Sequence, residues 1–375
     1  SSPGAVWPNG LVAVPEGAFT SWRLMPEDGA KSGTLVLSDE GPEPPADAST
    51  STKDSDLLHA ASFFTVKPSE LHLQCIIGRG AQADVYKAEW TRVFSASKSS
   101  ITVAVKRLNS TLDPAYRDRE ALACMTDHPN LVKCFDSTLD PPFLIVTEFC
   151  SGGSLFDCLY NTRETLSLRQ KVKILTDVAS GMQYLHTQRP KILHRDLKSS
   201  NVLLMKPIRS IEQEPYAKVA DFGLARTSTV HLTPSSETEA CDKFSAMTVG
   251  VGTWRWMAPE VFEVDNNGSY DERADVYSFA MLMYEVFARK MPYSDRFPTE
   301  TSDPRIGLHI SLGLRPNIVE LSDKVQYHQL LDLMQRSWAN DAKSRPDFED
   351  FVHRLHDLVF LSVRVDRERP RYRAP

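Results

Sequence analysis

Five short segments of this 375-residue chain carry side chains that could do chemistry. In Gly78-Arg-Gly80-Ala-Gln-Ala83-Asp-Val85, paired glycines stand between two strand-like runs. Glycines there let backbone amides approach a phosphate closely. No Gly-Lys-Ser/Thr follows, so this is not a Walker A loop. A strand-like run follows, whereas a dinucleotide-binding turn leads into a helix. Val103-Ala104-Val105-Lys106 ends an apolar strand in a lysine, whose amine leaves a hydrophobic setting. His194-Arg195-Asp196-Leu-Lys198-Ser-Ser-Asn201 gathers a carboxylate, an ammonium and a carboxamide. Those three suit a base, a phosphate clamp and a metal ligand. Asp221-Phe222-Gly223 and Ala258-Pro259-Glu260 come later in the chain. Taken alone, the glycine pair reads as a hairpin turn and the lysine as an ordinary edge lysine, and any single tripeptide could appear by chance.

The elements that must hold these residues are legible from periodicity. LHLQCIIG, ADVYKAEW and ITVAVKRL are β-rich runs from Leu71 onward. The Ser-rich stretch Phe94–Ser100 between the last two reads as a hairpin loop. A helix is predicted around Tyr116–Met125, then strands over Leu131–Asp136 and Phe143–Phe149. From Ser154 helical spacing dominates, as in LRQKVKILTDVASGMQYLH. Strands first and helices afterwards imply an α+β protein with a β-rich small lobe and a mainly helical large lobe.

Composition bounds the rest. Hydrophobic residues make up 41% and charged residues 25%, which suits a globular chain and excludes collagen or full disorder. The net charge of -6 is too mild to point to nucleic acid as a partner. It is concentrated in residues 1–70, which hold 10 acidic and 4 basic residues. Residues 1–68 are rich in Pro, Gly, Ser, Asp and Glu and read as an acidic, mostly disordered segment. Trp7, Trp22 and Thr34–Leu37 interrupt it, either as stray apolar residues or as a short docking motif. Residues 362–375 read as a basic tail. The six cysteines lack C-x-x-C or zinc-ligand spacing, so free thiols and a cytoplasmic location are expected. The most apolar stretches, Phe143–Val146 and Ser278–Ala288, are far shorter than the ~20 residues a membrane span needs.

Taken in order, the five segments resemble the signature set of eukaryotic protein kinases. The resemblance covers residues 69–361, with a small lobe over 69–148 and a large lobe over 149–361. It implies the bilobal protein-kinase fold, ATP and Mg2+ as cofactors, and protein substrates. Residue by residue, Ile77, Gly78, Gly80 and Val85 match the loop over the ATP phosphates. Lys106 matches the lysine on the α- and β-phosphates, with Glu120 as its partner. Thr147 sits at the gatekeeper position, Glu148 to Cys150 at the adenine-reading hinge, and Ala104 and Leu203 on either side of the adenine ring. Asp196 matches the catalytic base, and Lys198 the residue that neutralises the transferring phosphoryl. Asn201 and Asp221 match the two magnesium ligands. Glu260 with Arg345 matches a bracing ion pair, and Asp275 an anchor of the catalytic loop.

Two features depart from the family pattern. Ala83 replaces the third loop glycine, and Gln82 stands where an aromatic is common. The resemblance also implies an activation loop between Asp221 and Glu260. Arg195 would there pair with a phosphorylated residue, with Ser245 and Thr248 as candidates and an upstream kinase as a possible partner. Lys198 two residues after Asp196 resembles serine/threonine kinases, while Ile192-Leu-His-Arg-Asp-Leu-Lys-Ser-Ser-Asn201 together with Gly252-Thr-Trp-Arg-Trp-Met-Ala-Pro-Glu260 resembles the tyrosine-kinase-like group, whose mixed-lineage and Raf-like members usually act on serine and threonine. Dual-specificity or tyrosine kinase activity, and a nucleotide-binding pseudokinase scaffold, stand as alternatives. The sequence leaves the oligomeric state open.

Overall fold

A computed structural model describes residues 11–16, 19–24, 66–80, 82–94, 97–109, 126–138, 141–162, 165–221, 226–227, 253–262, 270–298, 305–322 and 328–368. The chain divides into two units, Ser1–Ala60 and Ala61–Pro375. In the first, β1 (Leu11–Glu16) pairs antiparallel with β2 (Phe19–Leu24), so a hairpin stands within the segment read as mostly disordered.

The second unit begins with a five-stranded antiparallel sheet. Its strands are β3 (Leu71–Arg79), β4 (Ala83–Phe94), β5 (Ser97–Leu108), β6 (Cys134–Ser137) and β7 (Leu144–Glu148). Their order across the sheet is β3-β4-β5-β7-β6. Alternation along β5 does the positioning. Val103 and Val105 are buried with Val66, Ala88, Trp90, Leu144 and Val146 on one face. Ala104 and Lys106 therefore present to the other face. Across the strands Lys106 lies between Val85 and Ile145, and Ala104 pairs with Thr147.

The loop expected over Phe94–Ser100 is much shorter than that. Pairing continues out to Phe94↔Ser97. Serine and threonine here replace apolar packing with hydroxyl contacts. Ser100 and Thr102 donate to the two oxygens of Glu89 at 3.0 and 2.8 Å, and Thr91 donates to Ser100 at 3.4 Å. A Ser-rich composition thus signals an exposed, polar ladder as well as a loop.

The helical part follows. The helix α1 (Leu155–Tyr160) is capped by the Ser154 side chain, and α2 (Leu168–Thr187) by a Ser167/Gln170 capping box. Short strands come next: β8 (Ile192–Leu193), β9 (Val202–Leu204), β10 (Ala217–Val219) and β11 (Arg226–Thr227). The helix α3 (Arg273–Ala288) is buried from Ala274 to Phe287 and forms the centre of the large core. Around it stand α4 (Arg305–Ser311), α5 (Val319–Ser322), α6 (His328–Ser337) and α7 (Phe348–Glu368). Phe279 of α3 meets Phe348 and Phe351 of α7 edge-on. The last helix is described as far as Glu368.

Arg345 holds the large core together. Its side chain is fully buried and grips both Glu260 oxygens, at 2.7 and 2.8 Å. It also donates to the carbonyls of Arg273 and Ala339, both at 2.9 Å. Replacing Arg345 with Ala strands a mostly buried carboxylate and several carbonyls. We expect a loss of about 3–5 kcal/mol, measured by chemical denaturation. An unfolding midpoint like that of the unmodified protein would show the pair to be dispensable.

Cys75, Cys150 and Cys158 are free thiols, as their spacing suggests. Cys134 is disulfide-bonded, against expectation, and its partner lies outside the described residues. Pairing depends on distance in space, which linear spacing does not encode.

Candidate active site

The glycine loop is a tight link between β3 and β4. Gly78 pairs with Val85, and the Gly80 amide donates to the Ala83 carbonyl at 2.9 Å. Ile77, on β3 beside the loop, is about half exposed. Ala83 is buried with Leu108 and Ile145. Its methyl enters a small core, which explains why alanine is accepted where a third glycine is common.

On the open face of the sheet, Lys106 Nζ meets Asp221 Oδ1 at 2.9 Å. These residues are 115 positions apart in sequence. Asp221 has a left-handed backbone, φ 67°, a conformation that costs energy for a residue with a side chain. Glu120, Ser245 and Thr248 lie outside the described residues.

The catalytic-loop candidates converge on one carboxylate. Lys198 Nζ lies 2.8 Å from Asp196 Oδ2 and 3.0 Å from its Oδ1. Asn201 Nδ2 donates to the same Oδ2 at 2.8 Å and to the Asp196 carbonyl at 2.7 Å. His194 joins this cluster to Asp221. Its Nδ1 accepts from the Asp196 amide at 3.3 Å, so its Nε2 is the donor to the Ala220 carbonyl at 3.0 Å. The Ala220 amide returns a bond to the Asn201 carbonyl at 2.8 Å.

Asp275 fixes the loop from below. It accepts from the amides of His194 and Arg195 at 2.9 and 2.7 Å, and contacts His186 Nε2 at 2.9 Å. Burial opposes its ionisation, but the bond to His186, the nearby histidines and the Arg195 amide outweigh that. The carboxyl is therefore held below its ordinary value. This clamp sustains the left-handed backbone of Arg195, φ 68°. The Arg195 guanidinium lies 4.4 Å over the Tyr270 ring and bonds its hydroxyl.

The hinge follows β7. Glu148 turns its side chain away from the open face, accepting from Lys218 Nζ at 2.6 Å and from the Lys133 amide at 2.7 Å. Lys218, on β10, is buried. Among the described residues no hydrogen bond engages the Cys150 amide, which leaves it for a ligand. Burial, then the charge of Glu148, pushes the Cys150 thiol up to about 12, so it is a packing group rather than a nucleophile. After the hinge the chain passes so close to β9 that a Cβ at Gly152 would lie 2.6 Å from the Leu204 carbonyl oxygen. That approach brings Leu203 under the hinge, bridged to Ser154.

This arrangement of lysine, aspartates and asparagine has relatives. Residues 71–355 match the family described as protein tyrosine and serine/threonine kinase. The chain belongs to that family. Serine/threonine-protein kinase STY46 of Arabidopsis thaliana is 32% identical over 76% of this chain and 43% of its own length. The probable serine/threonine-protein kinase drkC of Dictyostelium discoideum is 33% identical, over 79% of this chain and 36% of its own. Serine/threonine-protein kinase TNNI3K of Mus musculus is 33% identical, over 80% and 32%. The chain spans less than half the length of these three relatives.

The kinase domain brings together Lys106 with Asp221, and Asp196 with Lys198 and Asn201. It also reveals residues that the sequence reading passed over. His194 stands in the sequence only as one residue of a motif, yet its ring links Asp196 to the segment bearing Asp221. Lys218 ties the hinge to β10. Glu285, a lone acid in the apolar run YSFAMLMYEVF, is fully buried. That isolation in an apolar run was its one sequence signal.

Proposed function

We propose that the chain is a serine/threonine protein kinase that moves the γ-phosphoryl group of ATP to serine and threonine hydroxyls of protein substrates. The observation that carries this reading is the convergence of Lys106 on Asp221 and of Lys198 and Asn201 on Asp196, in a chain of this family. Phosphoryl transfer needs positioning and charge stabilisation more than covalent help from the protein. Lys106 would hold the α- and β-phosphates. Asp196 would orient the attacking hydroxyl and take its proton as the oxygen bonds to phosphorus and ADP departs. Lys198, already beside Asp196, would balance charge on the transferring group. The free Cys150 amide suits an adenine edge, flanked by Ala104 and Leu203 with Thr147 behind.

Asn201 spends its amide nitrogen on Asp196, leaving its carbonyl oxygen, and Asp221 offers a carboxylate. Two hard oxygen donors fit Mg2+. Bound there, the ion would neutralise charge on the phosphates. Arg195, with Ser245 or Thr248, is proposed as the phosphorylation switch, served by an upstream kinase. Among the described residues no helix is long and apolar enough to cross a membrane. A cytoplasmic role in a signalling cascade is part of the proposal, as is a kinase domain over residues 69–361.

The test is a transfer assay with the purified chain, ATP, magnesium and a generic basic protein, with phosphosites mapped by mass spectrometry. Phosphoserine and phosphothreonine are expected. Phosphotyrosine alone would replace the reading with a tyrosine kinase. Nucleotide binding without transfer would favour a scaffold.

A further inference from the structure

Glu285 lies at the centre of α3 with no exposed surface, and among the described residues no cation pairs with it. Four donors from three separate segments meet its carboxylate. Ser199 Oγ donates to Oε1 at 2.5 Å, and the Ser199 amide to Oε2 at 3.3 Å. The Trp256 indole donates to Oε2 at 2.7 Å, and the Tyr160 hydroxyl to Oε1 at 3.2 Å. Ser199 directly follows Lys198. Trp256 ends the 3-10 turn Thr253–Trp256, within the Gly252–Glu260 segment that carries the family resemblance. A second bond from α3 reinforces that turn, from Ser278 Oγ to the Trp256 carbonyl at 2.8 Å.

We infer that Glu285 is a positioning residue for phosphoryl transfer, its buried carboxylate fixing the catalytic loop at Ser199 to the turn Thr253–Trp256 that precedes Ala258-Pro259-Glu260. This rests on the kinase reading above. A wholly apolar residue would pack as well on α3 but would leave a backbone amide, an indole N–H and two hydroxyls without their acceptor. The ionised carboxylate accepts all four bonds. A protonated one must itself donate, so a hydroxyl of Ser199 or Tyr160 has to turn round. The groups facing it are the Tyr160 phenol from α1, the Ser199 hydroxyl and amide from the catalytic loop, and the Trp256 indole. Burial dominates these bonds and raises the Glu285 carboxyl to about 7. Protonation near neutrality thus loosens the link, and deprotonation tightens it.

Glu285→Gln separates charge from shape. Its amide can donate to the two hydroxyls while its carbonyl accepts from the Trp256 and Ser199 N–H groups. Steady-state transfer to a generic basic protein by the full chain is measured across the neutral range. The variant is expected to show roughly three- to tenfold lower kcat, on the scale of one ordinary hydrogen bond, with the KM for ATP unchanged. The unmodified protein should lose kcat as pH falls through about 7, and the variant should lack that limb. A purely structural residue would change the active fraction and leave the pH profile alone. Should Glu285→Gln fail to fold, Ser199→Ala removes one bond and should lower kcat in the same sense. The Trp256 indole N–H resonance, assigned with Trp256→Phe, gives a readout independent of transfer. It should move with pH in the unmodified chain and stay fixed in Glu285→Gln. Unchanged kcat and pH profile in the variant would overturn the inference. Absence of any transfer by the unmodified chain would instead overturn the kinase reading, and the indole resonance would still decide the coupling.

Discussion

Replacing Asp196 with Asn should lower the rate of phosphoryl transfer by about 10²- to 10⁴-fold, the usual scale for loss of a positioned base. The geometry predicts that the fold survives. Lys198 Nζ and Asn201 Nδ2 both lie 2.8 Å from the same carboxylate oxygen, Oδ2. A carboxamide oxygen can occupy that place and serve both donors. What it cannot do is take the proton of an attacking hydroxyl. The measurement is kcat under saturating ATP, with circular dichroism to verify folding. A variant that keeps more than about a tenth of the normal rate would refute the assignment of Asp196 as base.

Lys106→Met should reduce transfer by about 10²- to 10³-fold, comparable with removing one preorganised charge-stabilising donor. Methionine keeps the apolar stem on β5 and deletes only the ammonium. Stability should change by no more than about 1 kcal/mol, because the Asp221 side chain is 42% exposed and remains hydrated once its partner is gone. Rate and melting temperature are both read on the full chain. Loss of both together would mean that Lys106 is chiefly a structural anchor of the interface between sheet and helices. The two variants differ in where the loss falls. Lys106→Met should raise the KM for ATP if the lysine holds the α- and β-phosphates as proposed, whereas Asp196→Asn should not.

Much of this is legible in the sequence. The alternation in ITVAVKRL already puts Lys106 on the opposite face from Val103 and Val105, because strand periodicity is a local property. The same holds for α2, whose capping box and apolar spacing lie within one stretch of chain. The loop read over Phe94–Ser100 proves shorter because serine is a poor strand residue on average, and only the partner strand reveals Glu89 as acceptor for the Ser100 and Thr102 hydroxyls. The disulfide of Cys134 was missed for the corresponding reason.

The sequence alone determined the element types, the family resemblance and the candidates for base, phosphate lysine and metal ligands. The element types rest on local periodicity, and the candidates on the order of five short motifs whose resemblance to the kinase signature assigns each role. Only the tertiary structure decided which charges meet. Lys106 finds Asp221 across 115 residues, Lys218 finds Glu148 across 70, and Glu285 gathers partners 29, 86 and 125 residues away. Nothing in local propensity encodes such pairs. They follow from burial, which forces each polar group removed from water to find whatever partner the packed core brings to it.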